Sequence, residues 1–172
     1  MQKVGRHSAV LGDFYRQESA GLLRYAYSLT GDADTAQDLL QETMARLASR
    51  GGLEGLEAPS AFARKIITNL HVSAGRRRSA FKRVQHLLAR SDQSESLEEH
   101  CDLREAILHG LDRLPPRQRA AIVLRYFEGR TESEIAQILD CAGSSVRSHI
   151  RRGLQALHRA EDQFGQRTND AT

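Results

Sequence analysis

The sequence predicts an all-α protein of two small helical domains joined by a flexible linker, the C-terminal domain containing a helix-turn-helix. Apolar residues recur at three- and four-residue steps on both sides of a polar, acidic stretch. Only 3 of the 172 residues are proline, and most of the others are types that lose little rotamer freedom in a helix. A hydrophobic fraction of 40% supports compact cores, and this length allows either one domain or two.

The first domain is predicted at residues 8–80, with three helices. In the first helix the apolar pattern runs until residues 30–32, Thr-Gly-Asp, interrupt it. Glycine suits a helix end, and either Asp32 or Asp34 can cap the helix that follows. The apolar positions of the first helix are Leu11, Phe14, Tyr15, Leu22, Leu23, Tyr25, Ala26 and Leu29.

The second helix is predicted to have an apolar stripe and a polar face. The stripe consists of Ala36, Leu39, Leu40, Met44 and Leu47. The polar face consists of Asp34, Asp38, Gln41, Glu42 and Arg46. Taken alone, such a face is an ordinary solvated helix surface.

The third helix follows a glycine-rich loop at residues 50–58, and Pro59 suits its first turn. Helical spacing divides its residues between two faces. The positions expected to face the core are Phe62, Ile66, Ile67, Leu70 and Ala74. The positions expected to face outward are Arg64, Lys65, Thr68 and His71. A basic run at residues 76–78 closes the domain, and basic residues there also suit the helix dipole.

Residues 81–101 are predicted to form the flexible linker. After a basic start, residues 91–99 are rich in serine and acidic side chains and contain no aromatic residue. Such a stretch buries too little apolar surface to offset the conformational entropy lost on ordering. We therefore expect it to be extended or disordered in isolation.

The second domain is predicted at residues 102–164. Two prolines at positions 115 and 116 separate two apolar stripes. The first stripe is Leu103, Ala106, Ile107, Leu111 and Leu114, and the second is Ala120, Val123, Leu124 and Phe127. Thr131 and Glu134 then fit a capping box at the start of a short helix. A tight turn at residues 140–143 precedes a longer helix that either Ser144 or Ser145 caps.

That longer helix has the pattern of a DNA recognition helix. With Val146 and Ile150 facing inward, the outward positions at its start are Ser145, Arg147, Ser148, His149, Arg151 and Arg152. The major groove admits one helix, and an arginine can donate two hydrogen bonds to a guanine edge. A solvated amphipathic helix is also basic on its outside. The succession of cap, short helix, tight turn and longer helix favours DNA binding.

Composition and motifs argue against secretion, membrane insertion and catalysis. Residues 1–10 lack the apolar segment of a signal peptide, and no apolar run approaches the roughly 20 residues of a membrane span. We therefore expect a cytoplasmic protein. Catalysis would need Cys141 with His149, or Cys101 with His100 and His109. Neither set includes an acid–base pair or converging ligands, so we expect no enzyme, no cofactor and no metal site.

Two blocks of the sequence resemble the extracytoplasmic-function (ECF) sigma factors of bacterial RNA polymerase. Residues 114–129, 134–141 and 144–154 are similar to the DNA-binding region at the C-terminus of that family. Residues 29–32 and 36–43 are similar to its polymerase-binding helix. Both blocks occur in the order that the family has.

The resemblance implies a sigma factor that directs core RNA polymerase to specific promoters and initiates transcription. It assigns Asp38, Gln41 and Glu42 to polymerase binding, and residues 50–58 with the third helix to the strand-separated minus-ten element. The minus-ten residues it implies are Phe62, Arg64, Lys65, Asn69, Arg76 and Arg77. The recognition helix would read the minus-thirty-five element as duplex, and the linker would thread the polymerase channel. An anti-sigma factor is a further implied partner.

The chain departs from the family pattern at several positions. It has no tryptophan before the strand-opening segment, where Phe62 lies nearest, and Ser73 replaces a frequent acidic residue. Ala142 and Gly143 stand where Pro-Val is common, and Ser144 replaces a usual glycine. These departures leave the promoter sequence open. The alternative is a stand-alone helix-turn-helix regulator, which leaves residues 38–42 and the acidic linker without roles.

Overall fold

The computed structural model describes the backbone of residues 2–88 and 103–169 and the side chains of residues 9–76 and 106–159. This part of the chain is helical and contains no strand, which confirms the all-α prediction. The helices are α1 Gln2–Thr30, α2 Ala33–Ser49, α3 Pro59–Leu88, α4 Leu103–Asp112, α5 Pro116–Ile122, α6 Glu132–Leu139 and α7 Gly143–Asn169. A π-helical turn, Val123–Phe127, continues α5. Within the described residues, none of the helices is long and apolar enough to cross a membrane.

The turn between α1 and α2 follows the expected capping chemistry. Gly31 has a φ of 69°, a left-handed conformation that glycine adopts without strain. The Asp32 carboxylate accepts a hydrogen bond from the Thr35 amide at 2.7 Å. Hydrogen bonding by Thr35 lowers the pKa of Asp32, because it stabilises the charged form. Of the two candidate caps, Asp32 is therefore the one that begins α2.

Helix α3 extends beyond the predicted domain boundary. It continues to Leu88, so residues 81–88, which we expected in the linker, are helical. Phe81, Val84 and Leu88 recur at steps of three and four residues, a helical pattern that the composition of the segment as a whole conceals. The rest of the expected linker, residues 89–101, lies outside the described residues.

The face of α3 expected to be exposed is largely buried. Arg64, Thr68 and His71 are 5%, 1% and 3% exposed. The helix packs against α1 and α2 and also against α5 and α6. Periodicity identifies the apolar face of a helix but not a second, polar face that another element covers. The outward orientation was therefore wrong for these three residues, whereas Ile67 is buried as expected.

The π turn moves an expected core residue to the surface. The Glu128 amide donates to the Val123 carbonyl at 3.1 Å, a bond that spans five residues rather than four. Such a turn shifts the register of the side chains that follow it. Phe127, expected inside with Val123 and Leu124, is consequently 52% exposed. Ile107 of α4 is also 42% exposed, so its core assignment was wrong as well.

Tyr25 links α1 to α3 inside the core. Its side chain is 1% exposed, and its hydroxyl lies 2.7 Å from Thr68 Oγ1. Thr68 donates its own proton to the Arg64 carbonyl at 2.8 Å, so the Tyr25 hydroxyl donates to Thr68. Burial raises the pKa of Tyr25, which keeps the phenol neutral and able to donate.

Replacing Tyr25 with phenylalanine should lower the free energy of unfolding by about 1 kcal/mol, the usual net contribution of one buried hydrogen bond. Thr68 keeps the Arg64 carbonyl as a partner, so the loss stays modest. Urea denaturation followed by circular dichroism measures the change. Tyr15→Phe is the matched control because Tyr15 is 42% exposed. Equal midpoints for Tyr25→Phe and the unsubstituted chain would contradict the assignment.

The two halves of the chain, which the sequence analysis predicted as separate domains, pack against each other in the structure. One contiguous apolar cluster includes buried residues of both halves. Gly75 of α3 lies so close to Pro116 that an added Cβ would stand 2.6 Å from the proline ring. Arg119, 6% exposed, donates to the Leu29 carbonyl at 2.5 Å. The contact between the N-terminal and C-terminal halves is therefore close-packed, and the described residues of the two halves share one core.

Candidate nucleic-acid and polymerase interfaces

The start of α6 is fixed by the predicted capping box. The Thr131 amide donates to Glu134 Oε2 at 2.9 Å, and the Glu134 amide donates to Thr131 Oγ1 at 3.3 Å. Arg130 forms an ion pair with the same carboxylate at 2.9 Å. The hydrogen bonds from Thr131, followed by that from Arg130, lower the pKa of Glu134 to about 2. The carboxylate is therefore charged and holds the first helix of the motif at its cap.

The turn between α6 and α7 is shorter than the sequence suggested. Asp140 ends α6 in the left-handed conformation with a φ of 52°. Helix α7 begins at Gly143, and the Ser145 amide already donates to the Ala142 carbonyl at 2.9 Å. Ser144 and Ser145 therefore both lie inside the first turn of α7, and neither residue caps the helix. The predicted helix-turn-helix is present, with its second helix starting slightly earlier.

The first turns of α7 present basic side chains to solvent. Val146 is fully buried, and Ile150 packs partly buried against the core. On the opposite side Arg147, Arg151 and Arg152 are exposed. Three predicted DNA-binding residues, Ser145, Ser148 and His149, are half-buried beside them. This orientation is the one that a helix needs to enter a major groove.

His149 lies in a positively charged environment on α7. Partial burial lowers its pKa, and Arg117 and Arg152 lower it further. The imidazole is therefore neutral near pH 7 and offers a hydrogen-bond donor and acceptor rather than a charge.

Cys141 does not have the environment of a catalytic nucleophile. Burial raises the pKa of its thiol, which disfavours the reactive thiolate. No group of residues in the described part of the chain has the composition and spacing to hold a metal ion. In the other set considered for catalysis, Cys101 and His100 lie outside the described residues, and His109 is exposed on α4.

The predicted minus-ten residues fall into an exposed and a covered group. Asn69 and Arg76 are exposed on α3. Phe62 is half-buried, with the Arg50 guanidinium 5.2 Å from its ring centre. Lys65 forms an ion pair with Asp140 of the helix-turn-helix at 3.3 Å. The side chain of Arg77 lies outside the described residues.

Arg64 is the most deeply covered of the minus-ten candidates. Its Nε and Nη2 both lie 2.8 Å from Glu128 Oε2, which belongs to the C-terminal half. Nη1 donates to Ser60 Oγ at 2.5 Å, and the guanidinium carbon lies 6.0 Å from the Tyr25 ring centre. A charge with these partners is satisfied inside the protein. In this arrangement of the halves the Arg64 guanidinium is therefore covered, and its predicted contact with DNA stays a prediction.

The middle of the polar face of α2 is exposed among the residues that the structure describes. Asp38, Gln41 and Glu42 are exposed. Glu42 forms an ion pair with Arg46 one helical turn later, at 2.8 Å. The side chains stand together on one face of a helix whose other face holds Leu40 and Leu47 in the core. This face can accept a partner with complementary positive charge.

Two family models match the chain, Sigma-70 region 2 at residues 14–81 and Sigma-70, region 4 at residues 104–157. The RNA polymerase sigma-E factor of Streptomyces coelicolor is 31% identical over 146 residues, which cover 84% of this chain and 82% of that protein. The ECF RNA polymerase sigma factor SigL of Mycobacterium tuberculosis is 30% identical over 165 residues, which cover 92% of each chain. These relatives match along most of their length.

The fold is similar to that of the sigma factor RpoE in its complex with the anti-sigma factor NepR from Bartonella quintana, with a TM-score of 0.63. The two share 24% identity over 86% of this chain and 95% of that one, a level that shows the fold alone. The matches in sequence identify the family. This chain belongs to the extracytoplasmic-function sigma factors of RNA polymerase, which are transcription initiation factors.

Proposed function

We propose that this sigma factor binds core polymerase through the exposed face of α2 and reads promoter DNA with α3 and α7. One observation carries the proposal. The start of α7 exposes Arg147, Arg151 and Arg152 above the buried Val146, at the end of a helix-turn-helix. A sigma factor acts where core polymerase is, so we place its action in the cytoplasm.

Recognition of the minus-thirty-five element would use the first turns of α7. Arg147 and Arg151 lie one helical turn apart, so both can reach edges of neighbouring base pairs in one groove. Arg152 lies toward the flank, where a phosphate is the natural partner. Neutral His149, Ser145 and Ser148 can donate or accept hydrogen bonds at the same surface.

Recognition of the minus-ten element would use α3 and residues 50–58. Phe62 offers an aromatic surface on which an unpaired base can stack, and Arg76 and Asn69 offer polar contacts along the strand. Arg64 and Lys65 would join this surface only after Glu128 and Asp140 release them. The function we propose therefore requires a second arrangement of the two halves.

The geometry of promoter DNA supports that requirement. The two elements are centred about 25 base pairs apart, which is roughly 85 Å at 3.4 Å per base pair. In the structure α3 and α6 are in direct contact. A chain in this compact arrangement cannot present both recognition surfaces to one duplex at that separation. We therefore propose that the structure represents a closed state and that the halves part when the sigma factor joins polymerase.

An anti-sigma factor is the proposed inhibitory partner. The structurally similar RpoE is bound to an anti-sigma factor. A closed chain offers such a partner both halves at once, so one protein could hold them together. The exposed apolar side chains Phe127 and Ile107 are available for contact in this state.

Charge reversal on α2 should weaken assembly with core polymerase. We expect the double variant Asp38→Lys, Glu42→Lys to bind core at least about tenfold more weakly, because like charges juxtaposed across an interface disfavour association by more than 1.4 kcal/mol. Competition with a labelled wild-type chain for purified core enzyme measures this. Asp13→Lys on α1 is the control, as Asp13 is an exposed carboxylate outside the proposed face. Unchanged assembly of the double variant would contradict the assignment of α2.

Co-purification with core polymerase tests the proposed function as a whole. A sigma factor should bind core in the absence of DNA and select promoter fragments only as part of the holoenzyme. A stand-alone regulator would bind a duplex operator by itself and would not co-purify with core. The second pattern would overturn the proposal.

A further inference from the structure

Glu132, the first residue of α6, reaches across to the recognition helix. Its Oε2 accepts a hydrogen bond from Arg147 Nη1 at 2.9 Å. The Glu132 and Arg147 side chains remain 44% and 64% exposed, so the pair lies at the surface that would face DNA. The capping box of α6 uses Thr131 and Glu134 instead. The Glu132 carboxylate is therefore not needed to complete the helix end.

The ion pair between Glu132 and Arg147 should have a small effect on the free energy of folding and a large effect on DNA binding. Ion pairs between exposed side chains contribute little to stability, because both charges are well solvated when apart. A carboxylate beside the DNA backbone, by contrast, opposes binding of the phosphates. Its position in the first turn of α6 interacts favourably with the helix dipole but contributes only modestly to stability, and the carboxylate does not favour DNA affinity. Its evident effect is on where the Arg147 guanidinium lies.

A free arginine at this surface has two competing partners. The guanidinium can pair with a phosphate, which carries no sequence information, or with a base edge, which does. One of its five N–H donors is held by Glu132, and the others remain available in a fixed fork. Because Glu132 holds one nitrogen of the Arg147 guanidinium, fewer rotamers of the long arginine side chain remain accessible.

We propose that Glu132 is a positioning residue for promoter specificity: it aims Arg147 at a base pair of the minus-thirty-five element and keeps it from the phosphates. This inference rests on the proposed recognition role of α7. It makes an unusual prediction, because loss of Glu132 strengthens binding while it weakens discrimination. Loss of an ordinary structural or DNA-contacting residue would weaken binding.

The variant Glu132→Gln tests the proposal in the assembled holoenzyme. We expect it to bind a scrambled duplex about three- to tenfold more tightly, because the released Arg147 guanidinium is free to pair with a phosphate. The slope of log affinity against log salt should become steeper by up to about 0.9, the value for one added phosphate contact. Transcription from a promoter library randomised in the minus-thirty-five element should show a flattened base preference at one position.

A double-mutant cycle with Arg147→Ala shows whether Glu132 acts through Arg147. We expect Arg147→Ala alone to flatten the same position, and Glu132→Gln to change neither that preference nor the salt slope further in the Arg147→Ala background. Asp13→Asn is the matched control, since it removes a carboxylate from an exposed arginine pair on α1. It should leave the preference and the slope unchanged.

The arms of the experiment separate failure of this inference from failure of the proposed function. If Arg147→Ala flattens one position and Glu132→Gln leaves the preference intact, the positioning role is wrong and the recognition role of α7 stands. Equal slope changes for Glu132→Gln with and without Arg147 would show a purely local charge effect and overturn the proposal. If Arg147→Ala leaves every position unchanged, the recognition role and this inference both fail.

Discussion

Transcription from the cognate promoter should fall by about 100-fold or more when Arg147 and Arg151 are both replaced by alanine, because a well-placed arginine–base contact supplies about 1–3 kcal/mol of discrimination. Both side chains are exposed at the start of α7, above the buried Val146. Their removal takes away two base contacts and leaves the core of the helix-turn-helix untouched. Each single variant should lose about tenfold, which corresponds to 1.4 kcal/mol.

The measurement is run-off transcription by reconstituted holoenzyme, with the amount of assembled holoenzyme determined in parallel. Arg159→Ala is the matched control, because Arg159 is exposed on the same helix about 12 Å beyond Arg151 at 1.5 Å per residue. That variant should transcribe at the level of the unsubstituted protein. Full activity of the double variant would show that the DNA contact lies elsewhere.

Reversing the charge of Glu128 should part the two halves of the free protein. Arg64 is 5% exposed and has Glu128 as its main anionic partner, whereas Glu18 lies 3.9 Å away. Removing one partner of a buried ion pair is destabilising by about 3–5 kcal/mol, and Glu128→Lys also places two positive charges together. The links that remain between the halves include the pair of Lys65 with Asp140, the hydrogen bond from Arg119 to Leu29 and the shared apolar cluster.

Small-angle scattering measures the expected opening as an increase in radius of gyration, with circular dichroism to confirm that the helices persist. The exchanged pair Arg64→Glu with Glu128→Arg should restore compactness, because it rebuilds the contact with opposite polarity. Asp140→Asn should change compactness much less, since the pair it removes is largely solvated. A compact Glu128→Lys variant would contradict the account of the closed state.

Sequence reasoning succeeded where the determinant is local. The cap at Asp32 and the capping box of Thr131 with Glu134 are set by residues within one helical turn of each other. The outward direction of Arg147 follows in the same way from the burial of Val146. Such features need only the geometry of a single helix.

It failed where the determinant is a contact between distant segments. Arg64 and Glu128 are 64 residues apart, so neither the burial of the first nor the role of the second could be anticipated from spacing. The same holds for Lys65 with Asp140. Phe127 was misplaced because a π turn broke the α-helical register. The apolar stripe of α3 predicts which face packs in the first domain, but it does not predict that α5 and α6 cover the polar face.

The most direct test of the central claim is to supply this chain to purified core polymerase on genomic DNA and sequence the 5′ ends of the RNA. We predict new transcription starts that share two upstream elements, and their disappearance when Arg147 and Arg151 are replaced together. No new starts, combined with binding of duplex DNA by the chain alone, would contradict the account.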